Sequence, residues 1–348
     1  MCEHEKYMRR CLELATLGAG YVSPNPMVGA VIVLDRVIIG EGYHHKYGET
    51  HAEVNAINQV INNFSDWAEL LDQSILYVSL EPCAHYGKTP PCADLIIKHK
   101  IPRVVIGCRD PFEAVNGKGI EKLKDAGVEV TIGVLEQECQ WLNRRFFTRV
   151  QKHRPYVILK WAQTQNGFFA PADHSQFWIT GPGSRKLVHQ WRSEEDAVLV
   201  GKNTAAIDNP QLNVRLGQGS HPKRVVIDRR LELNENLNLF DQSVETLVFN
   251  EIKTAIEGNI KYVALEDFDR YVPQYILYQL YLQDIQSVII EGGARTLNSF
   301  IQAGLWDEAR IFTGPDDLEK GLRSPEISGI KYGEFYIGND KLLILLSR

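Results

Sequence analysis

One set of residues constrains this 348-residue chain more than any other: His51-Ala52-Glu53, then Pro82-Cys83, then, past eight intervening residues, Cys92. One histidine and two cysteines are zinc-type donors, and three such donors leave a fourth tetrahedral position open to water. They can serve one metal only if the fold brings them together, and the local sequence offers a way. Residues 51–62 read as a helix with Ala52, Ala56 and Val60 on one face. Residues 74–80, Ser-Ile-Leu-Tyr-Val-Ser-Leu, read as a buried strand, and Glu81-Pro82-Cys83 follows at its C-terminal end. Pro90-Pro91 then introduces a second helix, 92–100, which Cys92 opens. Two helix starts and a strand end can converge on one point, and a helix N-terminus favours thiolate over thiol. Glu53, two residues from His51, reads as a proton carrier rather than a ligand.

Taken singly these residues have plainer readings. A His-x-Glu occurs by chance in many helices, and a buried cysteine commonly behaves as a small hydrophobe. A structural zinc takes four protein ligands. Cys108 or a further histidine in fourth place would therefore turn the site from chemistry to stability.

The length accommodates two domains. A hydrophobic content of 44% and a charged content of 24% are those of an ordinary globular protein. No apolar run approaches the ~20 residues of a membrane span. The polar start Met-Cys-Glu-His-Glu-Lys shows no signal peptide, so a cytoplasmic protein without a membrane partner is expected. A formal net charge of −6 with no basic run argues against nucleic acid as a partner, but a few local cations suffice for a phosphorylated small substrate. Six cysteines in this length do not make a disulfide framework. Cys11 and Cys108 fall in apolar patterns and read as core, Cys139 as helical, and Cys2 as a free terminal thiol.

Helices and strands alternate along the first half. Helices are expected at 5–19, 51–62, 92–100, 119–126 and from 136, with strands at 29–35, 37–42, 74–80, 103–108 and 128–132. This alternation predicts a sheet between helical layers. Lys152-His-Arg-Pro155 is a polar, proline-marked junction, which places a boundary near Gln151. Beyond it strands are expected at 156–161, 197–201, 224–228, 246–250, 262–264, 287–290, 309–312 and 342–346, and helices at 184–192, 271–283 and 295–303. A mostly parallel, doubly wound sheet accommodates them best. Val288-Ile-Ile-Glu-Gly-Gly-Ala-Arg-Thr-Leu-Asn-Ser-Phe300 reads as strand, glycine turn and helix, a device that offers backbone N–H groups to a phosphate. A simple tight turn is the plainer alternative. The segment is not Gly-x-Gly-x-x-Gly, so a standard Rossmann domain is not expected.

The run Ser79-Leu-Glu-Pro-Cys-Ala-His-Tyr-Gly-Lys-Thr-Pro-Pro-Cys92 resembles the deaminase signature of the bifunctional riboflavin-biosynthesis deaminase/reductase family. Other zinc deaminases carry a short Pro-Cys-x-x-Cys, whereas the long insert is characteristic of this family. Ser23-Pro-Asn-Pro-Met-Val-Gly-Ala30 and His44-His-Lys-Tyr-Gly-Glu-Thr-His-Ala-Glu53 match it too. Trp178-Ile-Thr180, Val200-Gly201, Thr204, Asp208-Asn-Pro210 through Arg215, and Glu291-Gly-Gly293 resemble its reductase half. The likeness covers essentially the whole chain and is densest before about residue 150.

The resemblance implies an α/β protein with a cytidine-deaminase-like three-layer domain at 1–150 and a dihydrofolate-reductase-like domain at 151–348, assembled as a homo-oligomer. It implies zinc held by His51, Cys83 and Cys92, with Glu53 as the catalytic carboxylate. The first activity is hydrolytic deamination of 2,5-diamino-6-ribosylamino-4(3H)-pyrimidinone 5′-phosphate. The second is NADPH-dependent reduction of its ribosyl chain to ribityl. A monofunctional deaminase with an inactive second half is the alternative. Asn25, His44, His85 and Lys88 match substrate positions of the first site, although His85 reads equally well as a structural histidine. Gln176, Arg192, Leu212, Arg215 and Glu291 match substrate positions of the second. Guanidinium forks suit a phosphate, while a surface salt bridge is the commoner fate of an arginine. NADPH positions fall on Gln163, Trp178, Thr204, Asp208, Arg229, Gly293, Ala294, Arg295, Thr296, Leu297, Asn298 and Ser299. Arg229 reads either as a partner of the 2′-phosphate or as part of a solvated charge pair with Arg230. The chain departs from the family at Asn166-Gly167-Phe168, where Asp-Gly-Lys is usual.

Overall fold

The structure is a computed structural model and describes residues 2–86, 90–173 and 177–348. It divides into two compact units, Met1–His153 and Arg154–Arg348.

The first unit runs α1 (Glu3–Thr16), β1 (Gly29–Leu34), β2 (Val37–Tyr43), α2 (Ala52–Asn63), α3 (Trp67–Gln73), β3 (Ile75–Leu80), α4 (Cys92–Lys98), β4 (Arg103–Cys108), α5 (Lys118–Asp125), β5 (Glu129–Ile132), α6 (Glu136–Leu142) and α7 (Arg144–Lys152). Its sheet has the order β2-β1-β3-β4-β5. β1 is antiparallel to β2 and β3, and β3, β4 and β5 are parallel. Successive side chains of a strand point to opposite faces, which explains why the strands read as continuous apolar runs. Ala30, Ile32, Leu76, Val78, Val104 and Ile106 meet α2, α4 and α5 on one face. Val31, Val33, Tyr77 and Val105 meet α1 and α6 on the other. Each fully buried aliphatic side chain there contributes about 1.5–3 kcal/mol. The expected three-layer arrangement is the one observed. Gly42 shows what seats α2: a Cβ there would lie 2.4 Å from the Ala52 carbonyl oxygen, so only glycine lets β2 press against the helix's first turn.

The second unit runs β6 (Tyr156–Gln163), β7 (Phe168–Pro171), α8 (Pro182–Glu194), β8 (Ala197–Gly201), α9 (Lys202–Asp208), β9 (Lys223–Ile227), a 3-10 turn (Asn238–Phe240), β10 (Thr246–Asn250), β11 (Ala255–Glu257), β12 (Ile260–Ala264), α10 (Val272–Leu282), β13 (Ser287–Gly292), α11 (Ala294–Gln302), β14 (Glu308–Thr313), β15 (Gly321–Arg323), β16 (Ile330–Ile337) and β17 (Asp340–Leu346). A ten-stranded sheet has the order β11-β12-β10-β9-β8-β13-β6-β14-β17-β16. It is parallel from β12 through β14 and antiparallel at both ends. Helices cover both faces, α10 and α11 on one and α8 and α9 on the other. The parallel centre agrees with the expected doubly wound sheet. The antiparallel edge strands β11 and β16 extend it beyond what was expected.

Two candidate active sites

The first site forms where the local signals converge. His51 precedes α2 in extended backbone, with φ −74° and ψ 164°, and so stands at the helix N-terminus. Cys83 follows β3, and Cys92 is the first residue of α4. Their donor atoms all lie within 4.8 Å of one another. His51 Nδ1 is 3.3 Å from Cys92 Sγ and 3.6 Å from Cys83 Sγ. The Cys92 backbone N–H donates to Cys83 Sγ at 3.3 Å. Hydrogen bonding from the Cys92 side chain, joined by His51 and the Cys92 N–H, lowers the Cys83 thiol to about 4 against the effect of burial. The Cys92 thiol is raised, because it holds the proton of that pair. A donor set of one imidazole and two sulfurs, one of them already a ready thiolate, fits zinc. Cys108 does not join the set. Its Sγ points to the Ser79 carbonyl, and it sits in the core between the sheet and α1. Among the described residues no fourth donor joins the three.

Glu53 lies in the first turn of α2 and is 3% exposed. Burial pushes its carboxyl up to about 6, with His51 pulling the other way. A carboxyl poised near neutrality can both take and give a proton. His44 is buried and hydrogen-bonded at both ring nitrogens. Nδ1 donates to the Thr50 carbonyl at 3.1 Å, and Nε2 meets Asn25 Nδ2 at 3.1 Å. His85 is exposed, with its ring 5.9 Å from that of Phe112. Lys88 lies outside the described residues. Sequence reasoning passed over Glu81, whose buried carboxylate accepts the N–H groups of Asp110, Gly117, Gly119 and Ile120 at 3.0–3.3 Å and so anchors the turn before Cys83 to the start of α5.

The second site gathers around Glu291, at the C-terminal end of β13. Arg192 on α8 grips it through Nε and one terminal nitrogen, each at 2.7 Å. Burial pushes the Glu291 carboxyl up, but Arg192 and Lys160 outweigh it and hold the group at about 2. Arg215 is exposed, and its guanidinium reaches Asn213 Oδ1 at 3.4 Å. Its backbone N–H donates to His189 Nδ1 at 3.3 Å. Burial, then Arg192 and Arg215, lower His189 to about 4, so it is neutral at physiological pH. Lys160 and His189 were missed in the sequence. Lys160 carried a signal, as the lone cation in the apolar run Tyr-Val-Ile-Leu-Lys-Trp, whereas His189 carried none.

The glycine turn meets α9 and β8 beside this cluster. A Cβ on Gly201 would lie 2.3 Å from Thr296 Oγ1, and one on Gly293 would lie 3.0 Å from Thr204 Oγ1. Gly293 precedes α11 in extended backbone and caps it with no side chain, and a helix N-terminus of this kind offers its N–H groups to an anion. The Leu297 side chain, however, is wholly in the core, so only its backbone can face a cofactor. Leu212 is likewise buried. Gln163 accepts from Trp161 Nε1 at 3.0 Å, and Trp178 is exposed beneath the Arg185 guanidinium. Burial raises the Asp208 carboxyl. Arg229 is held by Glu251 at 2.6 Å and Asp269 at 2.7 Å. Gln176 lies outside the described residues.

Comparison with known proteins finds a known domain in each half of the chain. Residues 1–108 match the cytidine and deoxycytidylate deaminase zinc-binding region, and residues 155–318 match the RibD C-terminal domain. The riboflavin biosynthesis protein RibD of Aquifex aeolicus is 41% identical over 325 residues, covering 91% of this chain and 88% of the relative. The chain belongs to the RibD family. RibD of Escherichia coli is 33% identical, covering 92% of this chain and 90% of that one. The crystal structure of a diaminohydroxyphosphoribosylaminopyrimidine deaminase/5-amino-6-(5-phosphoribosylamino)uracil reductase from Thermotoga maritima superposes with a TM-score of 0.90 at 38% identity, covering 99% of both chains. Like its family, the protein is a bifunctional enzyme of riboflavin biosynthesis, a deaminase and a reductase, with zinc and NADPH as cofactors. The monofunctional alternative is not favoured. The departure at Asn166 also has a local use. Asn166 Oδ1 accepts from Thr164 Oγ1 at 2.7 Å and Nδ2 donates to the Leu318 carbonyl at 2.8 Å, while the Phe168 ring lies under Arg323.

Proposed function

We propose that residues 1–150 deaminate 2,5-diamino-6-ribosylamino-4(3H)-pyrimidinone 5′-phosphate and that residues 151–348 reduce the ribosyl chain of the product to ribityl. The convergence of His51, Cys83 and Cys92 beside the buried Glu53 carries the first half of this reading. Zinc, when bound to those three side chains, supplies a Lewis acid that eases deprotonation of water. Glu53 takes that proton and returns protons to the ring nitrogen and the departing amine. Water thus adds at the amino-bearing carbon, the C–N bond breaks and ammonia leaves. Asn25, His44 and His85 bind the pyrimidine, and Lys88 its phosphate.

In the second half, bound NADPH supplies the hydride for opening the ribosyl ring. Thr204, Asp208, Trp178, Gln163 and the residues from Gly293 to Ser299 orient the cofactor. Arg215, Gln176 and Leu212 bind the substrate with the Arg192–Glu291 pair. The fork of Arg192 is occupied by Glu291, so the exposed Arg215 is the better phosphate partner. Lys160, Arg192 and Arg215 against Glu291 leave the cluster positive, which favours a phosphorylated ligand.

We propose further that the enzyme is a homo-oligomer of the cytoplasm. The edge strand β16, with Ile330, Tyr332 and Tyr336 exposed, supports association. Among the described residues no helix is long and apolar enough to cross a membrane. The deciding experiment supplies the diaminopyrimidinone phosphate with and without NADPH and follows ammonia and nicotinamide absorbance separately. Ammonia should appear without NADPH, and Cys83→Ser should lose zinc and ammonia release yet still oxidise NADPH when given deaminated substrate. Full zinc occupancy in Cys83→Ser would remove Cys83 from the ligand set.

A further inference from the structure

Asn143 lies between α6 and α7, in the N-cap position of α7. An asparagine there ordinarily accepts a backbone N–H of the helix it precedes. This one makes no such bond. Its amide reaches instead to Met27, 116 positions away. Oδ1 accepts the Met27 N–H at 2.8 Å, and Nδ2 donates to the Met27 carbonyl at 2.8 Å. One side chain thus pairs with one residue's backbone as a neighbouring strand would. Asn143 is 2% exposed, so solvent competes little for either bond.

Met27 belongs to the irregular segment 23–28 that carries Asn25 into β1. The segment is tied down at several points. Gly29 N–H donates to Ser79 Oγ at 3.1 Å, and the Val28 carbonyl accepts the His44 N–H at 3.0 Å. Asn25 Nδ2 then meets His44 Nε2, and His44 Nδ1 reaches the carbonyl of Thr50, the residue before His51. The Asn143 amide fixes the backbone two residues after Asn25 and one residue before the Val28–His44 bond. A segment without a ladder of its own keeps its shape through such bonds.

We propose that Asn143 is a positioning residue of the deaminase. Its amide clasps the Met27 backbone and holds the 23–28 segment so that Asn25 and His44 present a preorganised face to the pyrimidine. The proposal rests on reading Asn25 and His44 as substrate-binding. The Asn143 side chain hydrogen-bonds to the Met27 backbone rather than to the metal donors or His44, and it reaches His44 through Asn25.

The test uses the full-length, zinc-loaded enzyme and the diaminopyrimidinone phosphate, with Asn143→Ala, Asn25→Ala and the double variant. Asn143→Ala should raise the deaminase KM about tenfold, the scale of one lost buried hydrogen-bonding partner, and leave kcat within about threefold. Its zinc content and its reduction of deaminated substrate should equal those of the parent. In the Asn25→Ala background the same change should add little, because the residue through which it acts is gone. Additive effects, or a parental KM in Asn143→Ala, overturn the proposal. A parental KM in Asn25→Ala overturns instead the assignment of Asn25 to substrate. Should Asn143→Ala lose zinc, Asn143→Asp carries the same cycle, since it keeps the acceptor for the Met27 N–H. Loss of zinc in both variants would make Asn143 a residue of the fold alone and overturn the proposal.

Discussion

His51 and Cys92, the outermost donors of the first site, are 41 positions apart, whereas Arg192 and Glu291, the central pair of the second, are 99 apart. The difference is chemical as well as topological. The first site gathers groups at the ends of a strand and two helices, where backbone geometry itself aims the side chains. The second gathers opposite charges from α8 and β13, where the side chains hold each other. A site of the first kind is written in a short stretch of sequence and is read as a motif. A site of the second kind depends on which strands become neighbours, and β13 lies between β8 and β6 only because of the crossovers in the sheet.

The contrast predicts that the two sites fail independently. The largest effect belongs to Glu53→Gln, which keeps the shape and removes the proton carrier. Deaminase turnover should fall ~10²–10⁴-fold, the usual contribution of a general acid–base. Zinc content and reduction of deaminated substrate should stay at parental levels. Parental turnover would exclude Glu53 as the carrier, and a parallel loss of reduction would show the sites to be coupled.

A smaller effect, on the other side of the comparison, is expected from Glu291→Ala. It leaves the Arg192 guanidinium buried without its counter-charge, which costs about 3–5 kcal/mol in comparable pairs. Both side chains are at most 10% exposed, so solvent cannot make up the loss. Calorimetry should show the transition of the second unit falling, with reduction lost and ammonia release intact. An unshifted transition would mean that Arg192 finds another partner and that the pair is not what holds this site together.

The same contrast explains what could be read without a structure. Strands 103–108, 197–201 and 246–250 coincide with β4, β8 and β10, because β-branched runs buried on both faces leave little ambiguity. The expected strand 342–346 falls within β17 for the same reason. β16 was missed because its residues are mostly exposed and show no alternation with burial. The short helix α3 was missed because Trp67–Gln73 is barely two turns long. At the sites, the donors were legible because His51, Cys83 and Cys92 stand at the starts and ends of elements the sequence itself marks. Lys160 and His189 were not, since their significance comes from Glu291 and Arg215, neighbours supplied only by the assembled second unit. Leu297 shows the converse limit. The resemblance assigns a whole run of residues to the cofactor, and the helical period sends this side chain into the core, so only its backbone is left for that role.

The smallest expected effect concerns Arg229, where the sequence left a choice between the 2′-phosphate of NADPH and a solvated charge pair. The structure adds two carboxylates to that choice. Glu251 and Asp269 both hold the Arg229 guanidinium, and Arg230 reaches Glu251 at 3.7 Å. The side chain is 41% exposed, so these bonds form in a screened setting where each contributes little. A phosphate meeting Arg229 would have to share it with, or displace, groups of its own charge. Arg229→Ala should therefore raise the KM for NADPH by less than about fivefold, in keeping with the strength of exposed charge contacts, and leave that for NADH unchanged. Glu251→Gln gives the sharper result because its effect has the opposite sign: removing a competing carboxylate frees the guanidinium and should lower the KM for NADPH alone. If neither variant changes the preference between the two cofactors, Arg229 is only a member of the surface charge cluster, and the 2′-phosphate is recognised elsewhere around the α11 N-terminus.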